Sequence, residues 1–96
     1  MAEWKTRAHL EDHYGRHRGE LRTRSIEEYD ASAQETITLG VRFTYDDPGT
    51  GLPRIGYFHR DSSRMTAVEV DGVIVSHFQT DEFYVVTLPR TTYRDD

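Results

Sequence analysis

The stretch SIEEYDASAQETITLGVRFTY, residues 25–45, decides the fold of this 96-residue chain because the spacing of its apolar residues changes within it. Its first part carries apolar side chains at the spacing of one helix face: Ile26, Tyr29, Ala33 and Ile37. Gly40 follows, and glycine commonly ends helices. The pattern then alternates along VRFTY, as in a half-buried strand. The stretch therefore predicts a helix over 25–39 and a strand over 41–46.

The chain before this stretch predicts a first helix over residues 3–21. Its apolar residues cluster on one side of the helix: Leu10, Tyr14 and Leu21. Gly15 and Gly19 weaken the second half, so we expect the helix to break near Gly19. Ser25 followed by Glu28 is a capping-box pattern, which indicates that a second helix begins there.

The chain after residue 46 predicts an antiparallel meander. The segment DDPGTGLP is typical of a turn, and Asp71-Gly72 is a strong hairpin signal. We predict strands over 54–60, 64–70, 73–80 and 82–88, followed by a solvated tail over 89–96. The predicted fold is a single α+β domain over 1–96, with two N-terminal helices packed on an antiparallel meander sheet of four to five strands.

The composition excludes several classes of site and protein. There is no cysteine, so disulfides, thiolate zinc sites and thiol nucleophiles are ruled out. No run of about 18 apolar residues exists, so we expect a soluble, cytoplasmic chain that does not enter a membrane. The net charge of −5 disfavours a nucleic-acid partner, but basic residues concentrate in 5–24. The N-terminal segment therefore predicts a basic face on an acidic molecule.

Three histidines follow one another at four-residue intervals: His9, His13 and His17. On a helix they would fall within an arc of roughly 80°, beside the predicted apolar side. Imidazole titrates near neutral pH and can transfer a proton or bind a metal. Three interpretations stay open: a catalytic pair, a row of surface histidines, or a metal site completed by Glu20 or by an acid of the sheet.

The predicted strands add polar groups to this row. In VIVSHFQT, alternation places Ser76 on one face with Ile74 and Phe78, and His77 on the other with Val73 and Val75. The turn segment FHRDSSR contributes Arg60 and Arg64. Arginine suits phosphate because its planar guanidinium offers several donors and keeps its charge.

Four segments in order resemble one toxin family: HLEDHYGRHRGEL, SIEEYDASAQ, GYFHRDSSRM and DGVIVSHF. This order is similar to the colicin-D-like tRNA nuclease domains of contact-dependent and polymorphic toxins, in the barnase/EndoU/colicin/RelE fold group. The resemblance covers about residues 9–80. It implies that a histidine of DHYGRH, His13 or His17, acts with Ser76, and that an aromatic residue, Phe78, follows two positions later.

These patterns predict a metal-independent ribonuclease without a cofactor. An imidazole of His13 or His17 would remove a proton from a ribose 2′-hydroxyl, and the second histidine would protonate the leaving oxygen. Arg60 or Arg64 would offset the charge on the phosphoryl oxygens, and Ser76 would hydrogen-bond one of them. Further substrate contacts are predicted from four side chains: Arg18, Arg64, His77 and Phe78. The expected partners are RNA, tRNA in particular, a cognate immunity or antitoxin protein, and a second copy of the chain.

Two alternatives come from other classes of protein. The first is a non-catalytic binding module, because the segment EFYVVTL is apolar on both faces of a strand and would suit an interface. The second is a metal-binding protein that uses the histidine row. The zinc-protease pattern HExxH is absent from the sequence, which makes a zinc hydrolase the weaker interpretation.

Overall fold

A computed structural model describes residues 1–94 and gives two N-terminal helices followed by a four-stranded antiparallel meander. The helices are α1 (Arg7–Leu21), α2 (Ile26–Leu39) and a short α3 (Glu82–Val86). The strands are β1 (Val41–Asp46), β2 (Pro53–His59), β3 (Arg64–Glu69) and β4 (Ile74–Gln79), adjacent in that order. The predicted α+β arrangement is therefore confirmed.

Helix α1 begins four residues later than predicted and does not break at Gly19. Thr6 is its N-cap, and the Thr6 hydroxyl accepts a hydrogen bond from the His9 N–H at 3.0 Å. The residues before it are extended, and Trp4 forms a parallel bridge with Ile74. The helix continues to Leu21 and ends at a left-handed residue, Arg22.

Helix α2 begins and ends as predicted. The Ser25 hydroxyl accepts from the Glu28 N–H at 3.1 Å, as a capping residue should. The helix ends at Gly40, whose backbone is extended, and no side chain fits there because a Cβ would lie 2.6 Å from the Thr36 carbonyl oxygen.

Both faces of the sheet are covered. Helix α1 packs along β4, and α2 packs on β2 and β3. This helix-covered face contains two apolar clusters of buried residues: Leu10, Leu21 and Tyr29 in one, and Ala33, Val68 and Ile74 in the other. The opposite face contains a larger cluster with C-terminal residues: Phe43, Tyr45, Phe58, Met65, Ala67, Val75, Val85, Leu88 and Tyr93.

The predicted fifth strand over 82–88 is wrong, because this segment forms helix α3 and the turn after it. The Asp81 side chain accepts from the Tyr84 N–H at 2.9 Å and starts the helix. Val85 and Leu88, three residues apart, then point into the larger apolar cluster. Covering an apolar sheet face outweighs the strand preference of the aromatic and β-branched residues.

The predicted solvated tail is wrong at Tyr93, whereas residues 89, 90, 92 and 94 are exposed as predicted. Tyr93 is buried in the larger cluster, and the Thr92 N–H donates to the Thr44 carbonyl at 2.9 Å. Tyr93 therefore anchors an otherwise exposed C-terminal segment to the core. Residues 95 and 96 of the predicted tail lie outside the described residues.

A bulge in β4 changes the predicted grouping of its side chains. Val68 pairs with Ile74 while Ala67 pairs with Ser76, so Val75 is an extra residue. Ile74 therefore lies on the helix-covered face together with His77, whereas Val75 joins the opposite cluster. Ser76 and His77 still lie on opposite faces, as alternation predicted.

We expect Gly56→Ala to destabilise the chain by about 1–3 kcal/mol, the usual cost of overpacking. A Cβ at Gly56 would lie 2.7 and 2.8 Å from two ring carbons of Phe43. The Phe43 ring is fixed between Tyr45 and Tyr93 and cannot move aside freely. Urea denaturation measures the effect.

The control for this substitution is Gly15→Ala, because nothing lies within 4 Å of a Cβ at Gly15 in exposed α1. There alanine should stabilise by roughly 0.5–1 kcal/mol through helix propensity. Equal free energies of unfolding for Gly56→Ala and the parent chain would contradict the tight contact with Phe43.

Candidate functional site

The three histidines form a stacked row along the edge of the sheet. The ring centroids of His9 and His13 are 5.2 Å apart, those of His13 and His17 are 5.8 Å apart, and both pairs are nearly parallel. The row runs along β4. The ring centroid of His13 lies 6.2 Å from that of Trp4, whose backbone bridges to Ile74 on β4. The ring centroid of His17 lies 6.0 Å from that of Phe78 on the same strand. The structure thus brings His13, His17 and Phe78 together.

The ring of His17 is held by a carboxylate that is itself anchored. His17 Nδ1 lies 3.0 Å from Glu20 Oε1, and Glu20 Oε2 accepts the Gln79 N–H at 2.8 Å. Since an ionised carboxylate can only accept, Nδ1 carries the proton, and in the neutral form of the ring the lone pair is on Nε2. The His17 side chain is 22% exposed, and within residues 1–94 Nε2 has no hydrogen-bond partner. This leaves Nε2 available to a ligand.

The charge of Glu20 is favoured by the same contacts. Partial burial tends to raise the pKa of this carboxyl, but the hydrogen bonds from His17 and from the Gln79 N–H outweigh it. The net effect lowers the pKa of Glu20 below its ordinary value. Glu20 is therefore an ionised acceptor that fixes the orientation of the imidazole.

His13 has a different electrostatic environment. Its pKa is lowered to about 4, chiefly by burial and then by the neighbouring Arg16, His9 and His17. The Arg16 guanidinium lies 3.2 Å from His13 Nε2, and the buried Nδ1 has no hydrogen-bond partner within residues 1–94. His13 is thus neutral near pH 7 and is poorly suited to the predicted role of protonating a leaving oxygen.

Ser76 lies on the same side of the sheet as Phe78 and two residues before it. It pairs with Ala67, whose side chain lies in the larger cluster, and it is half-buried. Ser76 is therefore close along the strand to the residue that contacts His17, whereas its neighbour His77 points to the other face.

His77 and Arg64 belong to an interior hydrogen-bond network. The fully buried His77 ring donates from Nδ1 to the Met65 carbonyl at 3.0 Å, and Nε2 accepts from the Ser32 hydroxyl at 2.8 Å. Arg64 donates to the Ser32 hydroxyl and, at 2.9 Å, to the Leu21 carbonyl. Burial lowers the pKa of His77 to about 4. The hydrogen bond to Met65 raises this pKa, and the positive charge of Arg64 lowers it further, but burial has the largest effect. This fully buried ring is not exposed to a substrate.

The other two predicted arginines are engaged elsewhere. Arg60 forms an ion pair with Glu82 at the start of α3. The Arg18 guanidinium lies 5.9 Å from the centre of the Tyr14 ring. Within the described residues, no hydrogen bond, ion pair or ring contact joins either arginine to His17.

Sequence reasoning missed two residues that organise these sites. Glu20 was considered only as a metal ligand, although its position three residues after His17 is a usable signal for a pair on one helix face. Ser32 gave no signal, because a small polar residue on an apolar helix face has no distinctive pattern. Its role depends on His77 and Arg64, which are distant in sequence.

Residues 1–94 contain no group of three or more histidine, aspartate or glutamate side chains that could hold a metal ion. The stacked imidazoles lie side by side and do not converge on one point. No helix in this part of the chain is long and apolar enough to cross a membrane. Comparisons with protein-family models, with curated proteins and with solved structures find no match for the chain.

We expect the free energy of unfolding to fall as the pH is lowered from about 6.5 towards 4. In this range the unfolded chain protonates His77 and His13, whose ordinary pKa is 6.5, while the folded chain keeps both rings neutral because burial lowers the pKa of each to about 4. The stabilisation is thus present above pH 6.5, and the buried His77 alone accounts for a loss of about 3 kcal/mol by pH 4. The partly exposed His13 adds a smaller loss of the same sign. Urea denaturation between pH 7.5 and 5 measures most of this slope.

The variant His77→Gln tests the source of this slope, because glutamine keeps polar atoms there but does not titrate. Its free energy of unfolding should be lower at every pH and should depend less on pH between 6.5 and 5. A variant with the full slope of the parent chain would show that other groups cause it.

Proposed function

We propose that the chain is a metal-independent ribonuclease with its reactive centre at His17, on the edge formed by α1 and β4. The observation that carries this proposal is the pair of His17 and Glu20, which fixes the tautomer and leaves Nε2 free. An oriented, partly exposed imidazole is the usual form of a general base. The resemblance of DHYGRH and DGVIVSHF to toxin tRNA nucleases supports the same assignment.

In the proposed reaction, His17 Nε2 takes the proton of a ribose 2′-hydroxyl. The 2′-oxygen then bonds to the adjacent phosphorus, and the bond from phosphorus to the 5′-oxygen breaks. The products are a 2′,3′-cyclic phosphate and a 5′-hydroxyl, whose proton comes from water because His13 is neutral. Glu20 stabilises the imidazolium that forms, and it is therefore a positioning residue.

Two further side chains support RNA as the substrate. The ring of Phe78, next to His17 and perpendicular to Tyr84, can stack on an unpaired base. Ser76 shares the sheet face of Phe78, which is the face opposite α1, so it would donate a hydrogen bond to a phosphoryl oxygen of a strand that passes around the β4 edge. Cleavage of tRNA in particular, and a cognate inhibitory protein, stay predictions from the resemblance.

We expect the folded chain to cleave total tRNA in the presence of EDTA and to leave cyclic-phosphate ends. His17→Ala should lower the rate roughly 10²-fold or more, the usual size of a general-base contribution. Ser76→Ala should have a smaller effect. The matched control is His9→Ala, since His9 lies at the far end of the row, 5.2 Å from His13 and two turns from His17. If the folded parent chain leaves tRNA intact, the proposal is wrong.

The substitution Glu20→Gln separates positioning from folding. The amide keeps the size of the carboxylate but lacks its charge, so kcat should fall about ten-fold or more while KM changes little. Nitrogen-15 NMR of the His17 ring should report a changed tautomer population. An unchanged tautomer together with an unchanged kcat would contradict the role assigned to Glu20.

A further inference from the structure

The arginines of this chain differ in whether a carboxylate pairs with them. Five of them are ion-paired: Arg7, Arg16, Arg54, Arg60 and Arg90. Arg22 and Arg64 both line the groove beside the turn between α1 and α2, Arg24 follows Arg22 by two residues, and none of the three forms an ion pair with a residue in 1–94. This turn therefore concentrates positive charge on a molecule whose net charge is −5.

An open groove of about 290 Å³ lies at this turn. Its α1 side is formed by Leu21, Arg22 and Thr23, and Arg64 and Ser32 line it as well. Arg64 is half-buried, and its hydrogen bonds within residues 1–94 go to neutral oxygens, those of Ser32 and Leu21. A half-buried guanidinium without a carboxylate attracts an anionic group to the groove.

The backbone at Arg22 supports the same interpretation. Arg22 ends α1 in the left-handed conformation, with φ 57°, where glycine or asparagine is the usual residue. The chain thus carries a strained arginine at the rim of the groove, and its exposed side chain has no ion pair in the described residues.

The acidic residues of the groove restrict where an anion can lie. Glu28 and Glu35 line the groove from α2. Glu28 is already engaged, because its carboxylate accepts the Arg24 N–H at 2.9 Å. Repulsion by these two carboxylates leaves the α1 side, where Arg22 lies, as the favourable path for phosphate groups.

We infer that the groove between α1 and α2 binds the phosphodiester backbone of single-stranded RNA, a contact that rests on the proposed function. The groove and His17 share the last turn of α1: Glu20 holds His17, and the next residue, Leu21, holds Arg64. A strand that places one ribose at His17 can therefore continue across this turn. An anionic lipid surface fits less well, because the groove lacks exposed large apolar side chains.

The test uses the full chain with His17→Ala, which should slow cleavage roughly 10²-fold, and a fluorescent single-stranded RNA of about 12 nucleotides. The added substitutions Arg22→Gln and Arg24→Gln should lower the affinity roughly ten-fold at low salt. They should also reduce the slope of log affinity against log salt by about 1.4, since each phosphate contact of a single strand contributes about 0.7. Arg64 is not substituted, because its hydrogen bond to the Leu21 carbonyl also stabilises the end of α1.

The matched control is Arg42→Gln, which removes an exposed arginine from β1, where it forms no ion pair with residues 1–94. Its RNA affinity and its slope of log affinity against log salt should equal those of the His17→Ala chain. The inference is overturned if the double variant binds RNA as tightly as the His17→Ala chain does, or if Arg42→Gln lowers the RNA affinity as much as the double variant. It is also overturned if the chain binds phosphatidylserine vesicles but not RNA.

The outcomes also separate this inference from the proposed function. If the unsubstituted chain cleaves tRNA but the double variant keeps its affinity and slope, the groove is not the backbone site and the ribonuclease proposal stands. If the unsubstituted chain does not cleave RNA but the double variant loses affinity as expected, the groove binds RNA and the proposed reaction is wrong.

Discussion

The buried hydrogen bonds of His77 are the constraint on which the rest of the structure depends. A buried imidazole without partners would cost several kcal/mol, so its two nitrogens dictate what surrounds them. Nδ1 needs the Met65 carbonyl on β3, and Nε2 needs the Ser32 hydroxyl on α2. The same hydroxyl accepts from Arg64, which reaches the end of α1 at Leu21. Arg64, on β3, thus connects the sheet to both N-terminal helices.

The edges of the sheet limit the ways in which this chain can act. At the β4 edge, the backbone of Ile74 bonds to residues 3 and 5, and the Tyr29 hydroxyl donates to the His77 carbonyl. At the β1 edge, Thr44 bonds to Thr92. An edge with its backbone groups already paired is a poor template for strand addition. The alternative of a module that pairs through an exposed strand is therefore less favoured than chemistry by side chains.

The sequence predicted those parts of the fold that have local causes. The cap at Ser25, the apolar face of α2 and the Asp71-Gly72 hairpin each depend on neighbouring residues, and each is present. The bulge at Val75 and the helix at 82–86 depend on what covers the sheet, which no local pattern reveals. In the candidate site, the row of histidines followed from helical spacing. The sequence did not predict the partners of Arg60 and Arg64, because Glu82 and Ser32 belong to distant segments of the chain.

The last turn of α1 shows how a small domain holds reactive groups in place. The final carbonyls of a helix usually lack partners and the end frays. Here the Arg22 N–H caps the carbonyls of residues 18 and 19, and Arg64 bonds to that of Leu21. Glu20, between them, is bonded to Gln79 on the sheet. Because the turn is tied at each of these points, it continues past Gly19 despite the low helix propensity of glycine. The His17 imidazole and the Arg64 guanidinium are therefore positioned by one rigid helix end, as a precise site requires.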